Sequence, residues 1–171
     1  MTAINSLGES VTSAESIAVL MPVADVEPDA PTTLTRNDAS TTKTQVAFTW
    51  SAPVIDGGDT VIDYKIEMDD DNDGVYSTVA TGVTSTAHTE TGLLAGSSYK
   101  FRVSARNSVG YSTPSSVLTI VAATVPSQPS APTATLNGET SFTINWSPPT
   151  DLGGQTISGY RLEVQTSIST F

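Results

Sequence analysis

The chain is 171 residues long and carries 18 Asp and Glu against 7 Lys and Arg, a formal net charge of −11. That balance argues against nucleic acid and anionic membranes as partners, because phosphate recognition needs clustered Lys and Arg; solubility is the simplest use of the charge. With no cysteine, disulfides and thiolate metal sites are excluded, no apolar run approaches the length of a membrane span, and no basic segment followed by an apolar one marks a signal peptide.

Residues 1–25 read as the last strands of a preceding unit. Ala3-Ile4-Asn5-Ser6-Leu7-Gly8 matches Ala105-Arg106-Asn107-Ser108-Val109-Gly110 further on. An alternating strand then places Ile17, Val19 and Met21 on one face. Residues 26–31 form a proline linker, Val26-Glu27-Pro28-Asp29-Ala30-Pro31. It recurs at 125–132, where Pro129 and Pro132 match Pro28 and Pro31. Proline fixes φ and removes a donor, so both linkers are expected to be stiff and extended and to limit the swing of neighbouring units.

Residues 32–124 hold the one complete unit. Strands are expected near Thr32–Asn37, at Thr44–Ser51 with Val46, Phe48 and Trp50 on one face, and at Thr60–Asp69 with Ile62, Tyr64, Ile66 and Met68 on one face. Shorter strands follow at Val75–Val79 and Ser85–Thr89. A corner at Leu93–Tyr99 leads into Tyr99–Arg106, with Tyr99, Phe101, Val103 and Ala105 inward, and the last strand is Ser116–Ala122. Seven short strands without helical periodicity predict an all-β antiparallel sandwich. Residues 133–171 begin another unit and reach only its first three strands. Trp146-Ser147-Pro148-Pro149, Gly153-Gly154 and Tyr160 repeat Trp50-Ser51-Ala52-Pro53, Gly57-Gly58 and Tyr64, and both 146 − 50 and 160 − 64 equal 96. The expected core is Phe48, Trp50, Tyr64, Leu93, Tyr99, Phe101 and Val103 in the complete unit, with Trp146 and Tyr160 in the next.

The tryptophan strand, the Leu93-to-Tyr99 corner and the Ala-x-Asn-x-x-Gly segment stand in an order that resembles fibronectin type III repeats, along essentially the whole chain. The resemblance implies a tandem of immunoglobulin-like seven-stranded sandwiches, with strands A, B and E in one sheet and C, C′, F and G in the other. It also implies no enzymatic activity. The loop Val109–Ser115 lacks Arg-Gly-Asp, so adhesion through that motif does not carry over. The function expected is a non-catalytic spacer in a larger fibrous or cell-surface protein, forming a semi-rigid filament or stalk. Its partners would be neighbouring repeats of the same chain or of like chains. The alternatives are an adhesion or receptor binding module, an accessory region of a secreted carbohydrate-active enzyme, and a cytoskeletal array inside the cell. The location expected is extracellular or at the cell surface.

Asp69-Asp70-Asp71-Asn72-Asp73-Gly74 fits the opening of a calcium loop, with Asp69, Asp71 and Asp73 as the ligand positions. The position of the bidentate Glu in an EF-hand is Ala80, and an acidic hairpin turn is the competing reading. No other cofactor is expected. Eight of the 18 acids fall between Asp56 and Asp73, so this end is the expected contact for a cation or a basic partner. Lys100, Arg102 and Arg106 alternate along one strand as a basic stripe, read as a solvated outer face with nearby acids or as a contact stripe for a neighbouring acidic domain. Asn145-Trp146-Ser147 is a glycosylation sequon with an outward Asn145. His88, the single histidine, is expected to be an exposed strand residue.

Overall fold

The computed structural model describes residues 2–11 and 24–164. The expected strand around Ile17–Met21 and everything after residue 164 lie outside these. The described elements are strands, in chain order β1 (Ile4–Asn5), β2 (Gly8–Glu9), β3 (Thr32–Arg36), β4 (Gln45–Ser51), β5 (Asp63–Asp69), β6 (Ser77–Val83), β7 (Ala87–Thr91), β8 (Ser98–Arg106), β9 (Leu118–Val121), β10 (Thr133–Leu136) and β11 (Phe142–Asn145). The sandwich has a three-stranded sheet ordered β3-β4-β7 and a four-stranded sheet ordered β6-β5-β8-β9, paired antiparallel throughout. This is the A-B-E and C′-C-F-G arrangement that the resemblance implies.

The period-two alternation of β4 and β8 aims alternate residues into the space between the sheets. Phe48, Trp50, Tyr64, Ile66, Leu93, Tyr99, Phe101, Val103 and Ala105 are all buried there. The aromatic rings form a connected series. Phe48 lies 4.9 Å from Phe101 and 5.9 Å from Trp50 between ring centroids, and Trp50 meets Tyr64 edge-on at 5.3 Å. Ile62 differs from expectation, being 52% exposed. The strand starts at Asp63, one residue after it, and the Ile62 amide instead closes a bond to the Arg106 carbonyl at 2.7 Å. His88 also differs. It is half-buried against the edge of the Phe48 ring at 5.8 Å, and its Nε2 lies 3.0 Å from Glu90. Its register partner across the sheet is Phe48, which draws the imidazole over the core.

The corner before β8 is closed by Tyr99, whose hydroxyl oxygen accepts the Leu94 amide at 2.9 Å. Tyr99→Phe keeps the ring but leaves that N–H without its acceptor. The expected loss is about 0.5–1.5 kcal/mol of stability, the net worth of one hydrogen bond whose donor can turn to water, measurable by urea unfolding with an unchanged slope.

The acids and bases that the sequence separates into two patches form one paired ladder on the outer face of the four-stranded sheet. Strands β5 and β8 run in register with Asp63 opposite Arg106, Glu67 opposite Arg102 and Asp69 opposite Lys100. Arg106 grips both oxygens of Asp63, and that contact raises the guanidinium pKa further. Arg102 takes Glu67 with 3.2 and 3.4 Å bonds and lies 4.0 Å over the Tyr76 ring. The three carboxylates are buried beneath the long basic arms. Opposite charges in cross-strand register thus pair the basic stripe with three of the eight acids, while Asp56, Asp70, Asp71 and Asp73 remain exposed.

The unit after the second linker is only partly built. Strands β10 and β11 pair as a two-stranded sheet, and no strand is formed at residues 156–164, where one is expected. Trp146 and Tyr160 still meet edge-on at 5.6 Å, as Trp50 and Tyr64 do. They are 46% and 45% exposed, however, against 5% for each of the earlier pair. Among the described residues no second sheet faces them, so these two rings are not core here. Residues 2–11 repeat another fragment of the complete unit. Ser10 N–H bonds Ala3 O and Ala3 N–H bonds Ser10 Oγ, and Ser112 and Ala105 make the same two bonds.

Candidate functional site: the joint between repeats

The Gly-Gly loops that both repeats carry lie where the preceding linker crosses. In the complete repeat, Val26 N–H bonds Gly57 O at 2.9 Å and Asp29 N–H bonds Ile55 O at 3.0 Å. In the next repeat, Thr124 N–H bonds Gly153 O at 2.9 Å and Ser127 N–H bonds Asp151 O at 2.8 Å. The linker is thus an extended segment hydrogen-bonded to the loop at two points. This register corrects the linker alignment. The offset is 124 − 26, or 98, so Pro28 and Pro31 correspond to Pro126 and Pro129 rather than to Pro129 and Pro132.

Glycine is required at these crossings for two reasons. Gly57 and Gly153 have φ of +83° and +71°, a region that L side chains rarely adopt. A Cβ would also run into the linker backbone, overlapping Val26 O and Glu27 O in one case and Thr124 O and Val125 O in the other. Asn107 fixes the first crossing from below. Its Nδ2 donates to Val26 O at 2.6 Å and to Asp56 O at 2.9 Å, while its Oδ1 accepts the Val109 and Gly110 amides. The side chain is buried because four backbone groups satisfy it.

At the second crossing the complete repeat touches its successor directly. A Cβ on Gly96, in the corner before β8, would overlap Gly154 O, and one on Gly154 would lie 3.1 Å from Gly96 N and 3.2 Å from Ala122 O. Gln155 Nε2 donates to Gly96 O at 3.1 Å. Lys43 Nζ, from the loop before β4, bonds Asp151 Oδ2 at 2.6 Å. The hydrogen bond from Lys43, followed by the Gly153 amide, holds the Asp151 carboxyl below its ordinary pKa. A carboxylate held down in this way contributes stability above its ordinary pKa near 4 and loses it as pH falls through the lowered value. The Thr124 and Ser127 amide resonances are therefore expected to stay fixed from about pH 7 to 5 and to move only below about pH 4. Movement above pH 5 would mean that Lys43–Asp151 does not hold the joint.

Asp69, Asp71 and Asp73 converge at the β5–β6 turn, far in sequence from the joint. Asn145 is exposed in β11, and the expected sequon is placed on the surface. Sequence reasoning missed the joint residues Lys43, Gly96, Asn107 and Asp151. The readable signal was that Gly-Gly and the Asn of Ala-x-Asn-x-x-Gly each occur in two copies, although neither is a core residue.

A β-sandwich whose end loop is occupied by the chain entering it, and whose corner meets the loop of the following unit, defines a tandem sandwich module. The chain belongs to the fibronectin type III domain family, whose model matches residues 29–121. A Kelch domain-containing protein of Saccharolobus solfataricus is 42% identical over 84 residues, 49% of this chain and 11% of that protein. Titin of Drosophila melanogaster is 29% identical over 179 residues, 99% of this chain and 1% of titin. Among solved structures, titin domains A168–A170 superpose with a TM-score of 0.53 at 27% identity, covering 57% of this chain and 33% of that one. The chain thus spans a small fraction of these multidomain relatives. No helix among the described residues is long and apolar enough to cross a membrane.

Proposed function

We propose that this chain is a non-catalytic spacer segment of a larger fibrous or cell-surface protein, in which consecutive sandwiches form a semi-rigid array. The observation that carries the reading is the second joint. Relative motion is the default between domains unless contacts beyond the linker oppose it. Here the linker is hydrogen-bonded to the Gly153 loop, the Gly154 backbone abuts Gly96, and Lys43 bonds Asp151. Each contact is small, but together they oppose bending in more than one direction. Titin of Drosophila melanogaster matches nearly the whole chain while the chain spans 1% of it, which supports a place within a much larger protein.

The test is NMR relaxation on this chain. Residues 29–123 and the Gly153 loop are expected to share one rotational correlation time and one diffusion tensor. Two independent tensors would overturn the semi-rigid reading.

A further inference from the structure

We propose that the exit face of the complete repeat, where Lys43 and Gly96 stand, selects its neighbour. It fits a following sandwich unit whose entry loop carries an acid two places before its Gly-Gly pair and an amide donor directly after it. The inference rests on the semi-rigid reading of the second joint. The chain itself supplies the comparison, because it holds two entry loops. Residues 55–59 read Ile-Asp-Gly-Gly-Asp and residues 151–155 read Asp-Leu-Gly-Gly-Gln. Their backbones take the linker alike, on Gly57 O and Ile55 O in the first and on Gly153 O and Asp151 O in the second. The crossing is therefore common to both loops and does not tell one from the other.

The side chains do. Asp151 divides its carboxylate between the two units: Oδ1 accepts the Gly153 amide at 2.9 Å and Oδ2 accepts Lys43 Nζ at 2.6 Å. Gln155 Nε2 donates to Gly96 O at 3.1 Å. The first loop has the groups for neither contact. Ile55 stands in the place of Asp151 and Asp59 in that of Gln155, since 151 − 55 and 155 − 59 both equal 96. An isoleucine leaves a facing lysine without its counter-charge. A carboxylate has no proton to give a carbonyl, so Asp59 at that place would set acceptor against acceptor. Asp59 is turned to its own repeat instead, where Oδ1 accepts the Thr60 amide at 2.8 Å and Oδ2 the Ser108 amide at 3.3 Å. The first loop does hold a glycine amide with an acid, but through Asp56 to Gly58 at 3.0 Å, one place further along.

The receiving side varies as well. Lys43 lies seven residues before Trp50, and the residue seven before Trp146 is Glu139, which is exposed. An acid at that place would repel a loop of the Asp151 kind. Selection between neighbours needs both a contact that the right partner makes and a mismatch that the wrong one suffers. Lys43 and Gly96 O supply the contact, and the Ile55 and Asp59 substitutions supply the mismatch. The order of units is thereby written in side chains at the loops, outside the tryptophan and tyrosine pattern that every unit shares.

The test is NMR relaxation on the full chain and two double variants. Asp151→Ile with Gln155→Asp gives the second loop the side chains of the first. Asp151→Asn with Gln155→Glu keeps the size of both side chains and the acceptor for the Gly153 amide, but presents an amide group to Lys43 and a carboxylate to Gly96 O. The unaltered chain is expected to show one diffusion tensor for residues 29–123 and the Gly153 loop. Both variants are expected to show two, with the amide shifts of β5 and β6 unchanged, so that the loss is one of coupling and not of folding. A single tensor in either variant would overturn the selection of neighbours while the semi-rigid reading stood. Two tensors in the unaltered chain would overturn both.

Discussion

Replacing Trp50 by alanine is expected to destabilise the complete repeat by about 3–5 kcal/mol, the cost of removing a large buried aromatic ring. The indole is 5% exposed and contacts the rings of both Phe48 and Tyr64, one from each sheet. Its loss would open a cavity at the point where the two sheets meet. A domain of this size has only about 5–15 kcal/mol in total, so the variant should melt far earlier or fail to fold at all. Trp146→Ala provides the control. The two tryptophans occupy the same place in the repeated pattern and face the same tyrosine partner at nearly the same distance. Trp146 is nonetheless 46% exposed, so its removal should leave the melting of the complete repeat unchanged. If both variants melted alike, burial would not be what distinguishes them. Paired thermal and urea unfolding curves would decide.

The second large effect concerns orientation rather than stability. Gly153→Val is expected to uncouple the following unit while leaving the complete repeat folded. Valine is a poor fit at φ +71°, costing roughly 1–2 kcal/mol from backbone strain alone. Its Cβ would also occupy the space taken by Thr124 O and Val125 O, so the linker must lift off the loop. The Thr124 and Ser127 amides then lose their acceptors. Relaxation should change from one common diffusion tensor to two, and amide exchange at Thr124 and Ser127 should accelerate, with the unfolding midpoint of residues 29–123 unmoved. A valine variant that still tumbled as one body would show that the Gly153 crossing does not couple the units.

The two variants separate what the repeated tryptophan does from what the repeated glycines do. Tryptophan makes a domain, and its value depends on how much of the domain surrounds it. Glycine makes a joint, and its value depends on the chain that crosses it. The charged ladder on the outer face serves neither purpose directly. It lets a strongly acidic chain place Asp63, Glu67 and Asp69 in near-complete burial with a basic side chain beside each.

The sequence alone determined the sandwich, because alternating apolar residues in strands such as Val46–Trp50 and Tyr99–Ala105 can be satisfied only by a second apolar face. It also determined that the unit repeats, since Trp, Gly-Gly and Tyr return at a constant spacing. Only the tertiary structure decided what those glycines are for. A φ value and a free space beside it are not written in composition, and the backbone that fills the space lies 28 or more positions away: 57 − 26 is 31, and 153 − 124 is 29. The same applies to charge. One-dimensional counting separates eight acids from three bases, whereas strand register brings three of those acids, Asp63, Glu67 and Asp69, opposite Arg106, Arg102 and Lys100. Burial, finally, belongs to the assembled sheets: an identical motif residue is core at position 50 and half-open at position 146, because among the described residues only the first has an opposing sheet to close over it.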